Sequence, residues 1–294
     1  MTHIPLTVPK SAQQIYKKNL KRVTKGTGKL LLFAGDQKIE HLNKDFYGEH
    51  IHPDDNTPEH LFRIAQQANI GCFAAQHGLI AQYGKDYSDI PYLVKLNSKT
   101  GLGVGDPVSL TLVDFEDVLA LQDAGINVVG VGYTLYLGSE HEALMLQEIG
   151  RIVAEAHSHG LLVVVWMYPR GAGVPDEKHP DIIAGAAGVA CALGADFVKV
   201  NQPQINKEDV PNELHQAVLA AGRTGVVVSG GSPKEPGPFL HLVYEQLQAG
   251  TRGVAVGRNI HQRSFDEAVR MCNALSQLVY EGADTHQAWL TYSE

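Results

Sequence analysis

The chain has 294 residues, 44% hydrophobic and 19% charged, enough for one large domain or two smaller ones around a substantial core. Its formal charge of −8 comes without a basic block, which argues against nucleic-acid and membrane partners, and its longest apolar stretch (161–167) is far too short to span a bilayer. Three separated cysteines, Cys72, Cys191 and Cys272, form no C-x-x-C pair, and the opening MTHIPLTVPK lacks a signal-peptide core, so a cytoplasmic chain with free thiols is expected.

An amphipathic pattern over about 12–23 predicts an N-terminal helix. Short β-branched runs then follow at 31–36, 70–76, 92–97, 126–133, 161–168, 196–200, 225–231 and 252–257. Between them lie helical patterns such as PEHLFRIAQQAN, FEDVLALQDAG, HEALMLQEIGRIVAEAHSHG and PDIIAGAAGVACALGA. Gly125, Gly160, Gly194 and Gly250 stand where a helix should stop before the next strand. Apolar strands separated by helices indicate a parallel sheet buried on both faces. Eight such units over this length give an α/β fold, a (β/α)₈ TIM barrel with an extra N-terminal helix. One domain over 1–294 is expected, with its core at about 28–282 and a polar tail from Gly282. A doubly wound open sheet is the other arrangement, but no G-x-G-x-x-G follows the first strand.

In such barrels chemistry sits at the C-terminal ends of the strands, and phosphate commonly binds after strands seven and eight. Asp36 closes LLLFAGD, where it is either a plain turn residue or an acid aimed at the site. In VVVWMYPRG, Trp166 and Tyr168 are two apart and share a face. They are either core aromatics or a pocket wall carrying a phenol that acts as acid or base once nearby positive charge lowers its pKa. Arg170 follows them as a loop cation.

FVKVNQP puts Lys199 inside a β-branched strand, with Phe197, Lys199 and Asn201 on one face. A buried unpaired ammonium is costly, so such a lysine either snorkels to an acid or solvent, or sheds its proton and becomes a nucleophile for a carbonyl. Lys95 in YLVKLN is the rival, without a matching phenol and acid. Ser229-Gly230-Gly231 and Gly257-Arg258 stand at the two phosphate-binding loops, glycines for close backbone approach and a guanidinium for phosphate oxygens. The 14 histidines show no H-E-x-x-H or similar spacing; His50-x-His52 and His157-x-His159 read as solvated side chains, and no metal or other cofactor is expected.

Taken together, Asp36, the W-x-Y pair, the strand-six lysine and the two glycine loops resemble the archaeal-type class I fructose-bisphosphate aldolases, within the deoxyribose-phosphate-aldolase-like Schiff-base barrels. The resemblance runs from about 30 to 258. It implies that Lys199 forms the imine, Tyr168 moves protons and Asp36 assists carbinolamine formation. It further implies that Trp166 lines the pocket while Ser229, Gly230, Gly231, Gly257 and Arg258 hold a phosphate. The substrates implied are phosphorylated ketoses and aldoses, with a related transaldolase or thiolase, or a sugar-phosphate-binding barrel, as the other readings. Assembly into a homo-oligomer is also implied. One departure is plain: family members commonly follow the strand-one Asp with His-Gly, whereas this chain reads Asp36-Gln37-Lys38. Lys38 is either a contact for a second phosphate or a solvated cation, and 41–57 is either a lid or an oligomer contact.

Overall fold

A computed structural model describes residues 3–294. Its main strands are β1 (Leu30–Ala34), β2 (Cys72–Gln76), β3 (Tyr92–Lys95), β4 (Val128–Leu137), β5 (Leu162–Pro169), β6 (Phe197–Val200), β7 (Gly225–Ser229) and β8 (Gly253–Val256). All pair in parallel, and β1 meets β8 from Leu30 opposite Gly253 to Phe33 opposite Val256, so the sheet closes on itself. Closure makes this the (β/α)₈ barrel and removes the open-sheet arrangement. β4 runs further than its sequence pattern, to Leu137, because Thr134 to Leu137 continue to pair with Trp166 to Pro169 of β5.

The period-two alternation of the strands sorts their side chains into two sets. Leu30, Leu32, Ala34, Leu93, Val164, Trp166, Phe197 and Ala255 fill the barrel interior. Leu31, Phe33, Val94, Val163, Val165, Val198, Val200 and Val256 pack outward beneath the helices. Lys95 and Lys199, each two residues beyond an inward side chain, therefore point into the barrel. A bulky indole fits there because β4 has Gly132 beneath its ring: a Cβ at Gly132 would lie 2.5 Å from the Trp166 ring.

Helix α1 (Gln13–Thr24) is packed against the barrel as expected. Tyr16 donates to the Asp196 carboxylate at the start of β6, and Asn19 Nδ2 donates to Gly160 O at 2.9 Å. Asp196 also accepts from Val163 N at 2.8 Å and lies 3.2 Å from His157 Nε2. His157 is thus fully buried, contrary to the solvated histidine expected, because it neighbours an acid that must itself be satisfied. The four helix-stop glycines all take positive φ, from 72° to 93°.

The segment from Gly282 is a helix, Thr285–Ser293, rather than a loose tail. Arg270 Nε donates to Tyr292 O at 3.0 Å, and Trp289 packs on Tyr292, so it docks on its own chain. No helix is long and apolar enough to cross a membrane among the described residues.

Candidate active site

At the C-terminal ends of the strands lies a cavity of about 160 Å³. Asp36, Trp166, Tyr168, Lys199, Ser229, Gly230, Gly231, Gly257 and Arg258 all line it, so the fold gathers the residues to which the resemblance gave catalytic, pocket and phosphate roles. A larger cavity, about 1170 Å³, opens beside α1 at the other end of the barrel and contains none of them. Size is the weaker guide here, since barrel chemistry belongs to the C-terminal face.

Lys199 is 5% exposed, with Nζ 5.2 Å from the centre of the Trp166 ring. It makes no hydrogen bond to a described protein group. Burial pushes its pKa below the usual lysine value; Asp36 and Glu40 oppose the shift, and Arg258 reinforces it. A lysine with a depressed pKa, facing a cavity and free of partners, is available to attack a carbonyl.

Lys95 differs in commitment rather than in burial. At 3% exposed, it lies 5.3 Å from the same indole, and burial lowers its pKa to about 8. Its Nζ, however, donates to Asn97 O at 2.7 Å and to Asn97 Oδ1 at 3.0 Å. Asn97 is fixed in turn by donating to Ser109 O and Thr134 O at 2.7 and 2.8 Å. The Lys95 amine is therefore turned into a polar network and does not line the cavity.

Tyr168 stands two residues beyond Trp166 on the cavity wall, 6.4 Å ring to ring from Tyr136. The lowered pKa expected for it is overturned. Burial holds the phenol well above its ordinary value, and the charges of Glu40 and Asp36 push the same way, while Arg170 opposes them. Arg170, the cation that opposes the shift, is itself paired: its Nε and Nη2 fork onto Glu177 at 2.8 and 3.0 Å. Tyr168 therefore enters any reaction as a neutral proton donor. Arg170 is half exposed and also lines the cavity, about 6.0 Å from the Tyr168 ring.

The two glycine loops are tied together by Asn259, which is 1% exposed. Its Nδ2 donates to Gly230 O and Ser232 O at 2.9 and 3.0 Å, while its Oδ1 accepts from Lys234 N at 2.8 Å. Ser229 Oγ donates to Asn201 Oδ1 at 3.1 Å, on the strand exit of Lys199. Arg258, in contrast to Arg170, has no hydrogen bond to its guanidinium among the described residues; its one ion pair is with Asp45, Nε to Oδ2 at 3.7 Å.

Sequence reasoning named Gln37 only as a departure from the family and gave Glu40 and His41 no role in the site; all three line the cavity. Asp36 begins the one-turn helix Gln37–Glu40, so Glu40 returns to the site one turn later. That spacing is the signal that was present in the sequence. Lys38 does not line the cavity; its Nζ sits 3.7 Å from the centre of the Phe46 ring. The segment 41–57 is pinned to its own chain: Gln262 Nε2 donates to Asp45 O at 2.8 Å and His52 N to Gln262 O at 3.0 Å. Asp55 and His261, both fully buried, pair at 2.7 Å. Among the described residues no three His, Cys, Asp or Glu side chains converge as a metal ion would require.

Residues 30–263 match the family model described as DeoC/LacD family aldolase. The chain is 54% identical over 293 residues to a Methanocaldococcus jannaschii protein named fructose-bisphosphate aldolase/6-deoxy-5-ketofructose 1-phosphate synthase, covering 98% of this chain and 94% of that one. The solved fructose-bisphosphate aldolase from Slackia heliotrinireducens is 52% identical, with a TM-score of 0.97 over 100% of this chain and 94% of that one. An archaeal fructose-1,6-bisphosphate aldolase, solved with its catalytic Lys covalently bound to the carbinolamine intermediate of the substrate, is 36% identical with a TM-score of 0.78, covering 90% and 99% of the two chains.

Proposed function

The chain belongs to the DeoC/LacD aldolase family, and on that premise we propose that it is a class I fructose-bisphosphate aldolase working through a lysine imine. The observation that carries the reading is Lys199: buried, without a hydrogen-bond partner among the described residues, depressed in pKa and aimed into the cavity beside Tyr168 and the two glycine loops.

The chemistry follows from those properties. The phosphate at C1 of the ketose lies on Ser229, Gly230, Gly231, Gly257 and Arg258, which brings C2 to Lys199. Neutral Lys199 adds to the C2 carbonyl, assisted by Asp36, to give a carbinolamine. Tyr168, protonated at the outset, gives its proton to the departing C2 hydroxyl, which leaves as water. The iminium formed is positively charged and stabilises the Tyr168 phenolate left behind. That phenolate removes the proton from the C4 hydroxyl; the C3–C4 electron pair flows to the iminium nitrogen, and glyceraldehyde 3-phosphate departs. Tyr168 then returns the proton to C3 of the enamine, and water hydrolyses the imine to release dihydroxyacetone phosphate and free Lys199.

A second reading is favoured by the far side of the cavity. Arg170 there is neutralised by Glu177 and faces Glu40 at 4.0 Å, so a second phosphate finds no uncommitted arginine at that end. An uncharged aldehyde would suffer no repulsion from Glu40. The enamine would then add to such an aldehyde in place of a proton, which is a transaldolase reaction. The 6-deoxy-5-ketofructose 1-phosphate of the Methanocaldococcus jannaschii protein's name would arise this way from the enamine and methylglyoxal.

The test is cleavage of fructose 1,6-bisphosphate in the presence of a chelator, repeated with Lys199→Met and with methylglyoxal added. Cleavage that survives the chelator and vanishes in the variant supports the aldolase. A new ketose phosphate formed at the expense of dihydroxyacetone phosphate supports the transaldolase. Full activity in Lys199→Met rejects both. A single barrel domain working in the cytoplasm fits the free Cys72 and Cys272 buried in the core. A homo-oligomer would cover exposed Leu102, Val104 and Leu112.

A further inference from the structure

Among the acids of the segment 41–57, Asp45 has a carboxylate that lies between two cavity-lining side chains, His41 and Arg258. Its side chain is buried to 11% exposure. Oδ2 lies 2.5 Å from His41 Nδ1 and 3.7 Å from Arg258 Nε. The backbone behind it is held as well, since Gln262 Nε2 donates to Asp45 O at 2.8 Å one helical turn beyond Arg258. Phe46, the next residue, stacks on His261 at 4.9 Å between ring centres and receives Lys38 on its face. Asp45 is therefore fixed from three sides, and its position relative to Arg258 does not depend on a mobile loop.

The edge of the guanidinium that Asp45 takes decides what remains. It faces Nε and leaves the two terminal nitrogens of Arg258 without hydrogen-bond partners among the described residues. A forked contact to two phosphate oxygens needs just those donors. Arg170 shows the opposite arrangement, in which Glu177 takes both Nε and a terminal nitrogen. One arginine is spent on an internal acid, while the other is held at its root and left open. An arginine loses much rotamer freedom on being ordered, so an acid that orders it beforehand lowers that cost for the ligand. The surroundings favour a charged carboxylate at Asp45: burial opposes ionisation, but the His41 hydrogen bond and the charges of His41 and Arg258 outweigh it.

We propose that Asp45 is a positioning residue that presents Arg258 to the C1 phosphate of the substrate, and that 41–57 serves as the fixed wall carrying it. Asp45 touches no reacting atom; it acts through Arg258. The inference rests on Arg258 holding the phosphate, as assigned above.

The experiment compares Asp45→Asn, Arg258→Ala and the double variant, with inorganic phosphate as a competitive probe. Asp45→Asn is expected to raise KM for fructose 1,6-bisphosphate and the inhibition constant for phosphate together, each about tenfold, with kcat held within about threefold. The double variant should bind phosphate no more weakly than Arg258→Ala alone, since both changes remove one contact. A structural role would instead lower kcat and the melting temperature together and leave the phosphate constant unmoved, which overturns the proposal. Asp45→Glu, which retains the charge, should recover part of the phosphate affinity and so separates lost charge from misfolding. If Arg258→Ala leaves phosphate binding unchanged, the phosphate assignment itself is wrong. If Arg258→Ala weakens it and Asp45→Asn does not, only the positioning role fails.

Discussion

Lys199 and Lys95 approach the same indole, 5.2 and 5.3 Å from the centre of Trp166, but only Lys199 has an amine without a protein hydrogen bond. Two buried lysines at one aromatic ring differ in what holds them: Asn97 accepts from Lys95, and among the described residues no group accepts from Lys199. Availability, rather than burial, is what makes Lys199 the proposed nucleophile.

Borohydride reduction in the presence of dihydroxyacetone phosphate should therefore place the added mass on Lys199. Peptide mapping checks this, and an adduct on the Lys95 peptide would move the nucleophile to β3. In Lys199→Met the adduct should be absent. Its melting temperature at neutral pH should equal or exceed that of the parent, because the substitution removes a buried amine whose charged form burial disfavours.

The pH dependence of imine formation has a defined sign. Lys199 has a pKa lowered by burial, so its neutral fraction, and with it the trapping rate, should rise with pH and level off below the 10.5 of an ordinary lysine. A trapping rate still climbing at pH 11 would contradict the depressed pKa. Tyr168, held well above its ordinary value, should add no falling limb below pH 10. Tyr168→Phe should lose about 10²- to 10⁴-fold in kcat while still binding phosphate.

Lys95 should be visible in stability rather than in turnover. Burial lowers its pKa from 10.5 to about 8, so between these values the unfolded chain binds more protons than the folded one. Unfolding free energy should rise with pH across that window, by about 3 kcal/mol in all from this group, and lose that contribution again as pH falls to 8. Thermal or urea unfolding of Lys95→Met against the parent from pH 7.5 to 10.5 isolates the effect. Equal slopes in the two proteins would rule it out.

Tyr16 joins α1 to the barrel through Asp196. Tyr16→Phe removes one donor from a buried carboxylate that keeps Val163 N and His157, and should cost about 1–3 kcal/mol of stability. Denaturant unfolding measures it, and kcat should stay unchanged because α1 lies at the end of the barrel away from the cavity.

Gly257→Ala should harm binding without touching the nucleophile. A Cβ there would fall on Gln37 Nε2 and within 2.8 Å of Ala34 O, forcing the β1 and β8 exits apart. KM for the phosphorylated ketose should rise about tenfold or more, with Lys199 still trapped at saturating substrate.

The sequence by itself determined an eight-strand parallel α/β sheet and pointed to the barrel. Strands such as VVVWMY are apolar on both faces and glycines end the helices before them, which calls for helices on the sheet's faces; the pairing of β1 with β8 then closed it. Period two then fixed that Trp166 and Tyr168 share a side and that Phe197, Lys199 and Asn201 do, because a strand cannot do otherwise. Only the tertiary structure decided the electrostatics. Tyr168 is a neutral phenol first because folding buries it, and then because Glu40 comes back one turn after Asp36 to add its charge. Arg258 stays open because Asp45, 213 positions earlier, approaches its Nε at 3.7 Å and no described group hydrogen-bonds its terminal nitrogens. Charges interact across space in ways local pattern does not record, so residue periodicity reveals which side chains meet, and folding decides which of them remain unpaired.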